Sequence, residues 1–231
     1  MIPLFLLPGL LNDAELWTFQ RDNLKDIAAT HVPELYHHDN IPDLARHVLA
    51  GAPDRFALAG LSMGGYVAME IMRQAPSRVL KLALFDTSAR SDTAEQTEKR
   101  KGLLVLAQTG KFKGVTPRLL PSLLHHDHLD DTKITTSILA MAARVGREGF
   151  IRQQTAIMHR IDSRPSLAQI ACPTRIVVGA QDQLTPLPIA EEMATLIPQA
   201  QLVVFQSCGH LPPLEKPEAT AHLLRGWLLE E

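Results

Sequence analysis

The sequence predicts an α/β protein, with a mostly parallel, doubly wound sheet interrupted by an all-helical lid. Three observations carry this. Short apolar runs alternate with helical patterns up to Phe85, as βαβ units require. Residues 91–163 show helical patterns and no convincing strand. Strand patterns then resume at Thr174 and the chain closes on a helix. The expected division is a core of residues 1–90 and 164–231 around a lid of residues 91–163.

Composition agrees with one such unit. The 231 residues support one substantial core, and 45% hydrophobic with 21% charged residues is ordinary for a globular chain. A net charge of -2 gives no electrostatic reason to expect a nucleic-acid partner. Only Cys172 and Cys208 are present, too few for a disulfide framework, and the apolar opening lacks the basic start of a secretory signal. A cytoplasmic location is expected, with no stretch long enough to span a bilayer.

Taken in order, residues 3–7 form a continuous apolar run, as expected for a parallel strand covered on both faces. After Pro8-Gly9, residues 14–27 read as a helix, 30–36 as a second, less regular strand, and 41–49 as a helix carrying Leu44, Val48 and Leu49. A strand at 55–61 leads into a helix at 63–74 that Pro76 stops, and 79–85 is the next buried strand. Within the insertion, Leu103–Ala107, residues 119–124, 134–145 and 150–161 mark four helices, punctuated by Gly110, Gly114, Pro117, Gly146 and Gly149. Strands at 174–178 and 201–205 and a closing helix at 217–229 complete the pattern.

Function is most legible at Gly60-Leu61-Ser62-Met63-Gly64, set between a strand and a helix. This is the spacing of a nucleophile elbow, in which a strained turn lifts the serine hydroxyl clear of the sheet. A serine at its ordinary pKa is a weak nucleophile, so it needs a base and a group to orient that base. In the order Ser, acid, His, the candidates are Ser62 as nucleophile, Asp182 as acid and His210 as base; each follows an expected strand, so all three share one sheet edge. Asp86 also follows a strand and rivals Asp182 as the acid. The oxyanion of acyl transfer needs two backbone donors, for which the N–H groups of Met63 and Leu10 are the candidates.

Four blocks carry a resemblance. They are Leu6-Leu7-Pro8-Gly9 with Trp17 downstream, Gly60 to Gly65, Gly179-Ala180-Gln181-Asp182-Gln183-Leu184-Thr185-Pro186, and Gly209 to Pro217. Together they resemble the α/β-hydrolase superfamily, and more narrowly its small bacterial carboxylesterases with a helical lid. The resemblance implies the fold, the Ser62–Asp182–His210 triad, and no cofactor. Members commonly begin with an antiparallel hairpin missing here, so a trimmed sheet is expected. Epoxide hydrolases and haloalkane dehalogenases place Asp at the nucleophile position, and Ser62 argues against both.

The expected activity is that of a serine hydrolase cleaving small carboxylic esters or thioesters through an acyl-enzyme on Ser62. Two alternatives stand beside it. One is a C–C hydrolase or lyase using the same triad, although the menaquinone-pathway lyase typically has an arginine where Tyr66 follows Gly64-Gly65. The other is a ligand-binding protein without catalysis, which has no need of an intact triad. His125-His126-Asp127-His128 invites a metal reading, but adjacent ligands on a short segment rarely converge on one ion, so no metal is expected. His37-His38-Asp39 is at most a pocket rim. Leu119, Leu120, Leu123, Leu124, Ile138, Met141 and Phe150 are candidates to line an acyl pocket or to pack the lid on the sheet.

Overall fold

A computed structural model describes residues 1–110 and 112–230. Six strands, β1 (Ile2–Leu7), β2 (Ala28–His31), β3 (Phe56–Leu61), β4 (Val79–Phe85), β5 (Thr174–Gly179) and β6 (Gln201–Phe205), form one sheet in the order β2-β1-β3-β4-β5-β6. Every pair is parallel. The strands alternate between two cores. Phe5, Leu58, Leu82 and Ile176 face one, while Leu4, Ala57, Ala83 and Val177 face the other. That period of two is the geometry of a strand covered on both sides, and it explains why β3 reads as an unbroken apolar run.

Helices cover both faces. On one lie α2 (Ile41–Gly51), α3 (Met63–Gln74) and α8 (Leu187–Leu196), contributing Leu44, Val67 and Met193; on the other lie α1 (Thr18–Leu24) and α10 (Pro217–Leu229), contributing Leu24, Leu224 and Trp227. Asn40 caps α2 by accepting the Asp43 N–H at 2.8 Å. Between β4 and β5 come α4 (Ala94–Gln108), α5 (Leu120–Leu123) and α6 (Thr132–Met158), followed by the short α7 (Arg164–Leu167); α9 (Pro212–Glu215) precedes α10.

Several expected elements differ in detail. Residues 14–27 split into a 3-10 turn at Ala14–Trp17, capped by Asp13, and the shorter α1. The second strand lies at Ala28–His31 and not at 30–36. Its pairing with β1 runs from Ile2↔Ala28 to Phe5↔His31, and Pro33, which has no N–H to give, lies beyond it. α8 falls in a stretch for which no helix was expected. The last two insertion helices form one run, α6, broken at Gly146 (φ 67, ψ -176) and ending at Met158. Gly149 does not punctuate it; it is buried inside α6.

The helical segment between β4 and β5 is pinned at both ends. The Asp92 side chain is buried and pairs with Arg100 of α4 and with Arg160 just past α6, and the Arg160 guanidinium lies 4.4 Å from the Tyr66 ring centroid.

Candidate active site

Ser62 sits at the β3–α3 turn with φ 54 and ψ -114. A non-glycine residue at positive φ costs on the order of 1–3 kcal/mol, and persists only where its surroundings over-determine it. They do so here. The Ser62 N–H donates to the Phe85 carbonyl at 3.0 Å, and its own carbonyl accepts from Gly65 N at 2.9 Å and from Thr87 Oγ1 at 2.7 Å. Gly64 lets α3 approach β1 so closely that a Cβ there would lie 2.4 Å from the Leu7 carbonyl oxygen. Although Ser62 is the N-cap residue of α3, its side chain makes no capping bond, so the hydroxyl is left for other use.

The imidazole and its partner meet across the β5 and β6 loops. His210 Nδ1 lies 2.8 Å from Asp182 Oδ2, with both residues buried. Asp182 also accepts from Leu184 N at 2.8 Å and Thr185 N at 3.2 Å through Oδ1, and from Thr185 Oγ1 at 2.6 Å through Oδ2. Burial works against its ionisation. The adjacent His210 and the hydrogen bonds outweigh burial and hold the carboxyl well below the usual carboxylate range. With Nδ1 occupied, Nε2 is the ring nitrogen left to face a serine hydroxyl.

Asp86, the sequence's rival acid, is close by but does not hold the imidazole. Its Oδ1 accepts from Gly179 N at 2.8 Å, and no hydrogen bond joins it to His210 among the described residues.

The His210 loop is clamped from the insertion side. His210 N donates to the Leu123 carbonyl at 2.8 Å. Buried Glu215 accepts from His125 N at 2.7 Å, Gly209 N at 3.0 Å and Leu211 N at 3.1 Å. The β1 loop is clamped in the same way. Leu11 holds φ 58, and its N–H donates at 3.0 Å to Oε1 of fully buried Gln153 on α6, whose Nε2 donates to the Leu35 carbonyl at 3.2 Å. The adjacent N–H of Leu10 and that of Met63 have no protein acceptor among the described residues.

Of the apolar candidates, Leu120, Leu124, Ile138 and Met141 are buried in one cluster with Leu61, Phe85 and Leu211, while Phe150 joins Leu11, Ala107 and Val145 in another. Leu123 is partly buried and Leu119 is exposed. His125, His126 and Asp127 bring ligand atoms within 4.8 Å of one another, but His126 and Asp127 are exposed and Asp127 N already donates to His125 Nδ1. His37 is an exposed partner of Glu34 at 2.7 Å. Gln153, Glu215, Thr87 and Thr185 support the site without having been singled out from sequence; Thr185 and Glu215 lie inside two of the resembling blocks.

A strained serine turn, a buried Asp–His pair and two free backbone donors on the edge of a parallel sheet define a hydrolase class. Residues 4–223 match the alpha/beta hydrolase family profile, and the chain belongs to that family. Among its relatives is the pimeloyl-[acyl-carrier protein] methyl ester esterase of Aromatoleum aromaticum, 30% identical over 188 residues that cover 77% of this chain and 75% of that protein. The protein of the same name from Nitrosomonas europaea is 24% identical over 229 residues, covering 93% and 91%. Among solved structures, a thermophilic esterase from Thermogutta terrifontis superposes with a TM-score of 0.90 at 31% identity, covering 99% of this chain and 89% of that one.

Proposed function

We propose that this enzyme is a serine hydrolase that cleaves small carboxylic esters, or thioesters, through an acyl-enzyme on Ser62. The observation that carries the proposal is the 2.8 Å contact of Asp182 with His210 on the sheet edge where Ser62 is held at φ 54 with its hydroxyl uncapped. His210 Nε2 takes the Ser62 proton as Oγ adds to the ester carbonyl. The N–H groups of Leu10 and Met63 receive the oxyanion, and Asp182 stabilises the imidazolium. Collapse expels the alcohol, protonated by His210; water then repeats the sequence on the acyl-enzyme and restores Ser62. No cofactor takes part in these steps.

Residues 91–163 act as the lid in this proposal, supported by the apolar side chains of α5 and α6 that pack over the sheet edge. The partner is a small-molecule ester, with no nucleic acid. No helix among the described residues is long and apolar enough to cross a membrane. Free Cys172 and Cys208 support a reducing, cytoplasmic setting.

Nitrophenyl esters of rising acyl length, with the methyl ester named for the relatives added to the panel, test the proposal in the wild type and Ser62→Ala, alongside fluorophosphonate labelling. The wild type is expected to label and to turn over, and Ser62→Ala to do neither, with a loss on the order of 10³-fold or more. A folded wild type that neither labels nor cleaves any ester overturns it and brings the C–C hydrolase or lyase and binding alternatives forward.

A further inference from the structure

Two carboxyl groups meet at the base of the site, and their hydrogen bonds are unequal. Asp182 receives four donors, two on each oxygen, and so has no proton of its own to place. Asp86 sits at the end of the neighbouring strand, 1% exposed and held at φ 41. One of its oxygens accepts from Gly179 N; the other, Oδ2, is buried and has no partner among the described residues. A carboxylate oxygen of Asp86, one of Asp182 and a ring nitrogen of His210 all lie within 4.8 Å of one another.

We propose that Asp86 is held as a neutral carboxylic acid whose Oδ2 hydroxyl donates to Asp182, making Asp86 a positioning residue that pins the triad carboxylate without competing for the imidazole. The proposal rests on the triad roles given above for Asp182 and His210. Its physical basis is that two buried carboxyls at this separation share one negative charge, because a second would be repelled by the first and poorly solvated. The donors decide which keeps the proton: an ionised Asp86 would leave Oδ2 bare, whereas donors on both oxygens of Asp182 favour its ionised form.

The other groups near Asp86 cannot take that hydrogen bond. Glu215 is occupied by the N–H groups of His125, Gly209 and Leu211. The Cys208 thiol is held neutral by burial and by Glu215, and His210 Nδ1 is engaged with Asp182. Burial first, and the Asp182 charge second, push the Asp86 carboxyl well above its usual range, in the same direction.

Asp86→Asn and Asp86→Ala separate positioning from charge. The amide of Asp86→Asn can accept from Gly179 and donate to Asp182; alanine does neither. On nitrophenyl acetate, Asp86→Asn is expected to keep kcat/KM within about threefold of wild type. Asp86→Ala is expected to lower kcat by about 10–100-fold with KM little changed. The acidic limb of the pH profile should not move in Asp86→Asn. Were Asp86 charged, its removal would drop that limb by about one pH unit, since His210 would lose a neighbouring anion. That shift, or full activity in Asp86→Ala, overturns the proposal.

A second arm needs no turnover. A carboxyl ionised when unfolded and protonated when folded takes up a proton on folding, so its stabilising contribution is complete below the unfolded pKa and is lost as pH rises toward the folded one. Asp86→Asn should therefore gain in melting temperature over wild type from about pH 5 to about pH 8. A gap that stays constant over that range overturns the proposal. Because this arm reads protonation alone, it tells failure of the Asp86 assignment apart from failure of the esterase reading.

Discussion

α4 and α6 both lie between β4 and β5, yet they are held in opposite ways. α4 buries Ala107 alone and leaves Leu103, Val105 and Leu106 exposed. Its apolar residues run consecutively through Leu103-Leu104-Val105-Leu106 and so point around the helix instead of along one face. Local chemistry supports it: Thr93 and Gln96 form a reciprocal capping box. α6 buries ten residues, with Ile138, Met141, Ala142 and Val145 at helical spacing and Gln153 reaching the β1 loop. Covering the sheet edge is thus one task and fixing the loops that carry Leu11 and His210 another, and the second falls to a few buried polar side chains.

The sharpest way to break this arrangement is at the clamp on the His210 loop. Glu215→Ala leaves the N–H groups of His125, Gly209 and Leu211 without their acceptor. A loss on the order of 3 kcal/mol or more follows. That corresponds to roughly 6–12 °C in Tm, read by thermal melting, with kcat falling alongside. Gln153→Leu is next. It orphans Leu11 N and the Leu35 carbonyl at similar side-chain volume, costing about 1–3 kcal/mol. Because Leu10 is the adjacent residue, kcat should fall by roughly tenfold or more while KM changes little, as steady-state kinetics would show. Leu106→Lys on α4 should be the mildest, within about 0.5 kcal/mol and without effect on kcat. Should Leu106→Lys cost as much as Gln153→Leu, the distinction between the two helices is lost.

The same distinction marks what the sequence could reveal. The turn at Ser62 and the meeting of Asp182 with His210 were legible because an elbow has a local spacing and because parallel strands bring their C-terminal ends to one edge. Separating Asp86 from Asp182 required coordinates, since both follow strands and only side-chain direction distinguishes them. Gln153 was invisible for a related reason: its partner Leu11 lies 142 residues away, and no periodicity encodes such a contact. Glu215 stood within a resembling block, but its acceptor role appears only when the β6 loop folds back beside His125. The second strand lies earlier than the 30–36 expected because pairing with β1 fixes it at Ala28–His31, and a register against a neighbouring strand is not written in local composition.

The break in α6 at Gly146 has a consequence for which changes the chain can absorb. It divides the helix into two segments, so the second sets its own rotational phase. Each added residue turns a helix by about 100°. One insertion between Gly146 and Gln153 would swing the Gln153 amide away from Leu11 while leaving composition almost untouched. Arg147, Glu148 and Arg152 are exposed in that stretch. Gly149 and Phe150, buried in the same stretch, are fixed in identity as well, and the number of residues is fixed for all of them.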